Sequence, residues 1–147
     1  MLFRSLVQGE YGEAIDPLEK GLALISKKQD KMVPQFILGQ LYDRMEKSGD
    51  AKVAFQKVIK LKPPYELEFQ SRLQMLLTDT KISRNYSDAQ KALLVMLDDL
   101  KNESYKDVIY FALGNVTLEL EKRKEAVDYF EQALKFNKKD RKSTRLN

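Results

Sequence analysis

The chain contains neither cysteine nor histidine. That removes disulfides, thiol redox chemistry, cysteine nucleophiles, the usual zinc and haem ligands and the commonest general base. Glycine and proline are scarce, at 6 and 4 in the whole chain, too few for the many turns of an all-β protein. No run of about 18 apolar residues occurs, so nothing in the sequence spans a membrane. The opening Met1-Leu2-Phe3-Arg4-Ser5 lacks the basic flank and long apolar stretch of a secretory signal. Also absent are a Walker loop, a dinucleotide fingerprint, a nucleophile elbow and a calcium loop. Gly9-Glu10-Tyr11-Gly12 has too few glycines to cradle a phosphate and reads as a turn between helices.

What is present favours helix. Apolar residues make up 43% and charged residues 33%, enough to bury a core and stay soluble. Leu, Lys and Glu, all strong helix formers, are abundant. The net charge is +4. Half of it comes from residues 140–147, where Arg141, Lys142 and Arg145 outweigh Asp140. That closing string resembles the translation of a sequencing-library adapter and reads as a non-native tail. Without it the balance falls to +2, which weakens any argument for nucleic acid.

The organisation is repetitive. Leu38-Gly39 is followed by Tyr42, Ala51, Phe55, Val58 and Pro63. Leu113-Gly114 is followed by Ala126, Phe130 and Ala133. The interval from Gly39 to Ala51 equals that from Gly114 to Ala126, and steps of 4 and then 3 follow in both copies. Ala14, Leu18 and Gly21 repeat the 4-then-3 spacing, as do Ala89, Leu93 and Met96. The leading Ala residues, Ala14, Ala51, Ala89 and Ala126, are spaced by 37, 38 and 37.

This pattern resembles the tetratricopeptide repeat, a helix-turn-helix unit of about 34 residues. The resemblance implies an all-α solenoid of stacked helical hairpins, about 3.5 repeats long. A partial repeat covers 1–30, and repeats 31–64, 65–103 and 104–139 complete the array. Small residues belong where two helices cross closely, and large ones fill the gaps between layers. The helices expected are 1–8, 11–27, 32–47, 51–61, 65–80, 86–101, 105–121 and 123–137. Apolar stripes support them: Val53, Phe55, Val58, Ile59 and Leu61 in one, Ala126, Val127, Phe130, Ala133 and Leu134 in another. Pro63-Pro64 is a firm break.

Some positions depart from the pattern. Pro17 predicts a kink or a late helix start at Asp16. Leu73 occupies the place of the small Gly, and Thr117 that of the aromatic. The array opens partway through a helix, so the chain reads as a piece of a longer array.

Catalysis has little to stand on. Asp98-Asp99 are adjacent on a helix and point about 100° apart, so they do not converge on one atom. Glu119 and Glu121 read as solvated surface. Lysines cluster at Lys27, Lys28 and Lys31, at Lys57, Lys60 and Lys62, and at Lys135, Lys138 and Lys139. Acids intervene at Asp30, Glu46, Asp50, Glu66 and Glu68, which argues against a phosphate-binding face.

The resemblance also implies a partner-binding groove lined by the first helix of each hairpin. The positions it carries onto this chain are Val33, Phe36, Gln40, Asp43 and Arg44 in the second repeat. In the third they are Leu67, Gln70, Gln74, Leu77 and Thr78. In the fourth they are Val108, Phe111, Asn115, Leu118 and Glu119. The recurring Phe36 and Phe111 offer apolar anchors, and Gln40, Gln74 and Asn115 offer amides to an extended backbone. If these phenylalanines are groove, truncating either to Ala costs under about 1 kcal/mol of stability. The alternative, that both pack between repeats as core, stays open.

Charge is missing where a clamp for chaperone tails would need it, since Phe36 and Phe111 take those places. Residues 63–69 and 104–114 are similar to the repeat array of a Bacteroidota lipoprotein linked to gliding motility and type IX secretion. That similarity implies a periplasm-facing scaffold in the envelope; without it a cytoplasmic place is expected. The reading is a non-catalytic scaffold for a protein or peptide partner, with no cofactor, metal or small-molecule substrate. The alternatives are an RNA-binding helical repeat and an accessory domain of a larger enzyme.

Overall fold

The computed structural model describes the backbone of residues 2–146 and the side chains of residues 9–138. It is all α among those residues, with no strand. The helices are α1 (Leu2–Leu24), α2 (Lys28–Arg44), α3 (Ser48–Lys60), α4 (Tyr65–Ser83), α5 (Tyr86–Asp98), α6 (Lys106–Glu119) and α7 (Arg123–Leu146). A 3-10 segment, Leu100–Tyr105, joins α5 to α6. This is the helical-hairpin repeat class expected. The chain forms two compact units, Met1–Arg84 and Asn85–Asn147. The boundary falls inside residues 65–103, set out above as one repeat. The expected tail, 140–147, lies outside the residues whose side chains are described.

Two hairpins share one turn. Each leaves its first helix through a glutamate in the left-handed region, Glu46 at φ 59° and Glu121 at φ 61°. The Lys47 N–H then donates to the Tyr42 carbonyl (2.9 Å), and the Lys122 N–H to that of Thr117 (3.2 Å). These bonds satisfy carbonyls that a helix end otherwise leaves unpaired. Pro63-Pro64 breaks the chain as expected: α3 ends at Lys60, and Pro64 precedes α4.

The repeat spacing has a direct steric cause. A Cβ built on Gly39 would lie 2.6 Å from Cε1 of Phe55, and one on Gly114 would meet the Phe130 ring closer still. Each glycine therefore gives its helix a socket for an aromatic of the helix that follows. The alanine that opens each following helix, Ala51 or Ala126, is fully buried at the crossing. Around Phe55 the core of the first unit gathers Phe36, Ala51 and Val58. The second unit buries Leu93, Ile109, Leu113, Val116 and Ala126.

The turn expected at residues 9–12 does not form: α1 runs through it and through Pro17, with no late start at Asp16. A glycine in a helix costs only about 1 kcal/mol, and α1 recovers contacts on α2. The Arg44 guanidinium lies 5.2 Å above the Tyr11 ring, and the Tyr42 hydroxyl donates to Glu19. The departures at Leu73 and Thr117 are both buried. The Thr117 hydroxyl accepts a hydrogen bond from the Gln90 amide (3.3 Å).

Candidate functional site

The carboxylates of Glu119 and Glu121 are exposed. Asp98 and Asp99 are both exposed, and Asp99 accepts the Lys101 N–H (3.0 Å) to cap the 3-10 segment. Among the described residues no cluster of acids is placed to hold a metal ion. No described helix is long and apolar enough to cross a membrane. Two phenols titrate above their usual range. Tyr42 is pushed up to about 12, chiefly by its hydrogen bond to Glu19, then by burial. Tyr129 is raised mainly by burial, then by the charge of Glu125. Both hold structure: Tyr129 stands in an aromatic row with Tyr110 (6.2 Å), which stacks on Phe136 (5.5 Å).

Two open clefts are lined by apolar side chains. One, of about 750 Å³, lies in the first unit between the N-terminal ends of α2 and α4. It brings together Val33, Leu67 and Gln70, with Met32 and Pro63. The other, of about 550 Å³, lies in the second unit between α6 and α7. Its walls are Val108, Phe111, Phe130, Ala133 and Leu134, with Asp107 and Asn137 at the rim.

The groove positions carried over from the repeat pattern fare unequally. Val33, Gln40, Gln70, Val108, Phe111 and Asn115 are exposed. Arg44, Leu118 and Glu119 are exposed as well. Gln74 and Leu77 are half-buried, and Thr78 is buried. Asp43 is half-buried and spends its carboxylate on Lys81 of α4 (2.9 Å). Phe36 needs correcting: it is only 8% exposed and belongs to the core. Its ring sits 5.5 Å from that of Phe55, and Leu67 and Met75 of α4 pack over the cluster. Phe111 holds the same position against Phe130, at 5.7 Å, yet is 57% exposed.

Sequence reasoning missed the contribution of the second helix. Leu134 and Val127 of α7 are 62% and 52% exposed, whereas membership of an apolar stripe places both in the core. The stripe is no wider than the face an ordinary packed helix buries, so the sequence carries no signal for this.

A tetratricopeptide repeat model matches residues 35–65 and residues 108–140. No curated protein and no solved structure matches the chain significantly. Repeats of this kind generally mediate protein–protein contacts. The matched segments are the two hairpins in which a glycine socket receives an aromatic ring. The two segments that match the tetratricopeptide repeat thus fall one in each of the two units.

Proposed function

We propose that this protein is a non-catalytic scaffold whose repeats bind a peptide segment or partner helix in a groove along their first helices. One observation carries the reading. On α6, Val108, Phe111, Asn115 and Leu118 follow one another at steps of 3, 4 and 3, so they share a face. The three apolar members are 43%, 57% and 45% exposed. A contiguous apolar face in water, with an amide in its middle, marks an interaction surface. Asn115 adds a donor and an acceptor for a partner's backbone. The exposed amides Gln40 and Gln70 and the apolar Val33 extend the same chemistry to the first unit.

The test is a pull-down with the chain lacking residues 140–147, read by mass spectrometry, beside the Phe111→Asp variant. Protein partners captured by the wild type and lost from the variant support the scaffold. Recovery of nucleic acid that nuclease removes would replace it with the RNA-binding reading. A narrower reading places the scaffold in an envelope complex for gliding or secretion, on the likeness of residues 63–69 and 104–114. Envelope proteins in the captured set would support that narrower reading.

A further inference from the structure

We propose that the cleft between α1 and α3, floored by α2, binds a small aromatic amine, a single ring bearing an ammonium. This site goes beyond the scaffold reading and shares no residue with the groove of the first helices.

The cleft holds about 390 Å³ and lies wholly inside the first unit. That volume suits a small molecule. Leu22 of α1, Leu38 of α2 and Val53 and Ala54 of α3 supply apolar walls. The Gln35 amide donates to the Ala54 carbonyl (3.3 Å) where α2 meets α3. Glu19, Tyr42 and Asp50 supply polar groups, and the Tyr42 hydroxyl donates to Glu19. Lys57 is the single base of the lining.

The second unit shows what this place accepts. One constant offset carries Gly39 to Gly114, Ala51 to Ala126 and Phe55 to Phe130. It also carries Ala14 to Ala89, so α5 stands where α1 does. The same offset carries Gln35 to Tyr110 and Ala54 to Tyr129, so two phenol rings replace an amide and a methyl. Their centroids are 6.2 Å apart. The Tyr129 phenol hydrogen-bonds Gln90 of α5, so this ring bridges the counterparts of α3 and α1. With Ala54 in that place the bridge is missing. The space stays open although Tyr42 replaces Thr117 on one wall.

Charge then selects the occupant. At the place of Asp50 the second unit has Glu125, whose charge is felt by the Tyr129 phenol. A ring seated in the first unit would meet Asp50 in the same way. The offset carries Glu19 to Leu94, so the first unit adds a second carboxylate where the other has leucine. A neutral ring gains nothing from two carboxylates, whereas an ammonium is attracted by both. Glu19 already accepts from Tyr42, but a carboxylate keeps further acceptor sites. Lys57 stands two turns along α3 from Asp50, about 10 Å away along the axis, so the amine belongs at the Asp50 end.

The test titrates phenethylamine, ethylamine and phenylpropionate into the full chain and follows backbone amide NMR shifts. Phenethylamine is expected to shift Tyr42, Val53 and Ala54. It should bind at least about fivefold more tightly than either comparator, one of which lacks the ring and the other the positive charge. Gln35→Tyr with Ala54→Tyr builds the rings of the second unit into the cleft. This change should abolish the shifts and leave the helical circular dichroism as it is. Glu19→Gln with Asp50→Asn keeps the shape of the cleft and should erase the preference for phenethylamine over phenylpropionate. Equal binding of the three probes, shifts confined to residues outside the cleft, or a preference that survives the loss of both carboxylates would overturn the proposal. So would no binding of phenethylamine.

Discussion

Alanine at Gly39 should destabilise the protein although alanine is the better helix former. The new Cβ would stand 2.6, 2.8 and 2.9 Å from three atoms of the Phe55 ring. Relaxed carbon–carbon contacts lie near roughly 3.5–4.0 Å, so the ring and the helix must part by about 1 Å. Phe55 is fully buried against Phe36, Ala51 and Val58 and has nowhere to swing. Overpacking of this kind costs roughly 1–3 kcal/mol, against a gain in helix propensity of about 1 kcal/mol. The net expectation is a loss of up to about 2 kcal/mol.

Gly21 supplies the control, because a Cβ there meets nothing within 4 Å. Gly21→Ala should stabilise α1 by up to about 1 kcal/mol. Gly114→Ala falls between them, since Phe130 is only half-buried and borders an open groove. Urea unfolding followed by far-ultraviolet circular dichroism measures all three. Phe55→Leu in the Gly39→Ala background should recover part of the loss, giving a coupling of opposite sign to the single changes. If Gly39→Ala stabilises as much as Gly21→Ala, the socket explanation of the repeat spacing is wrong.

Other perturbations probe other parts. Phe36→Ala should cost about 3 kcal/mol as a core truncation, whereas Phe111→Ala should stay within about 1 kcal/mol of wild type; equal losses would show the two environments to be alike. The Tyr42 phenol should titrate near 12 by ultraviolet absorbance, and Glu19→Gln should bring it down towards about 10. Since the folded value lies above the unfolded one, its contribution is complete below about pH 10 and lost as pH rises through about 12. Glu121→Gly should raise stability by up to about 1 kcal/mol, because glycine adopts the left-handed turn freely; a lower midpoint in urea would contradict that. Asn102 is buried with its amide donating to the Met96 carbonyl (2.8 Å). Its change to Ala should cost about 1–3 kcal/mol in the same urea assay.

Much of the fold is legible in the sequence because its cause is local and recurs. The interval from Gly39 to Phe55 and from Gly114 to Phe130 encodes one close crossing, and two copies make it hard to misread. Pro63-Pro64 marks a boundary by chemistry alone. The turn expected at residues 9–12 fails for the opposite reason. Two glycines weaken a helix locally, but contacts of Tyr11 and Glu19 with α2, distant in sequence, outweigh that weakness.

The candidate groove is legible only in part. Phe36 and Phe111 hold identical places in the repeat, so no local pattern separates them. What separates them is Leu67 and Met75 of α4 lying over Phe36, while Phe111 borders an open cleft. The amide positions Gln40 and Asn115 fall on exposed surface, because their side of the helix follows from the register alone. Asp43 looks free in the sequence; its engagement depends on Lys81 of another helix.

The two ion pairs that flank α4, Lys52 with Asp79 and Asp43 with Lys81, make its seat sensitive to ionic strength. Both are substantially exposed, so added salt screens them and loosens the grip on that helix. Leu118 and Val127, which hold the places of Asp43 and Lys52 in the second unit, present nothing for mobile ions to screen, and salts excluded from protein surfaces strengthen apolar burial. The same two repeat positions thus form an ion-paired flank in the first unit, which salt screens, and an apolar flank in the second, which it does not.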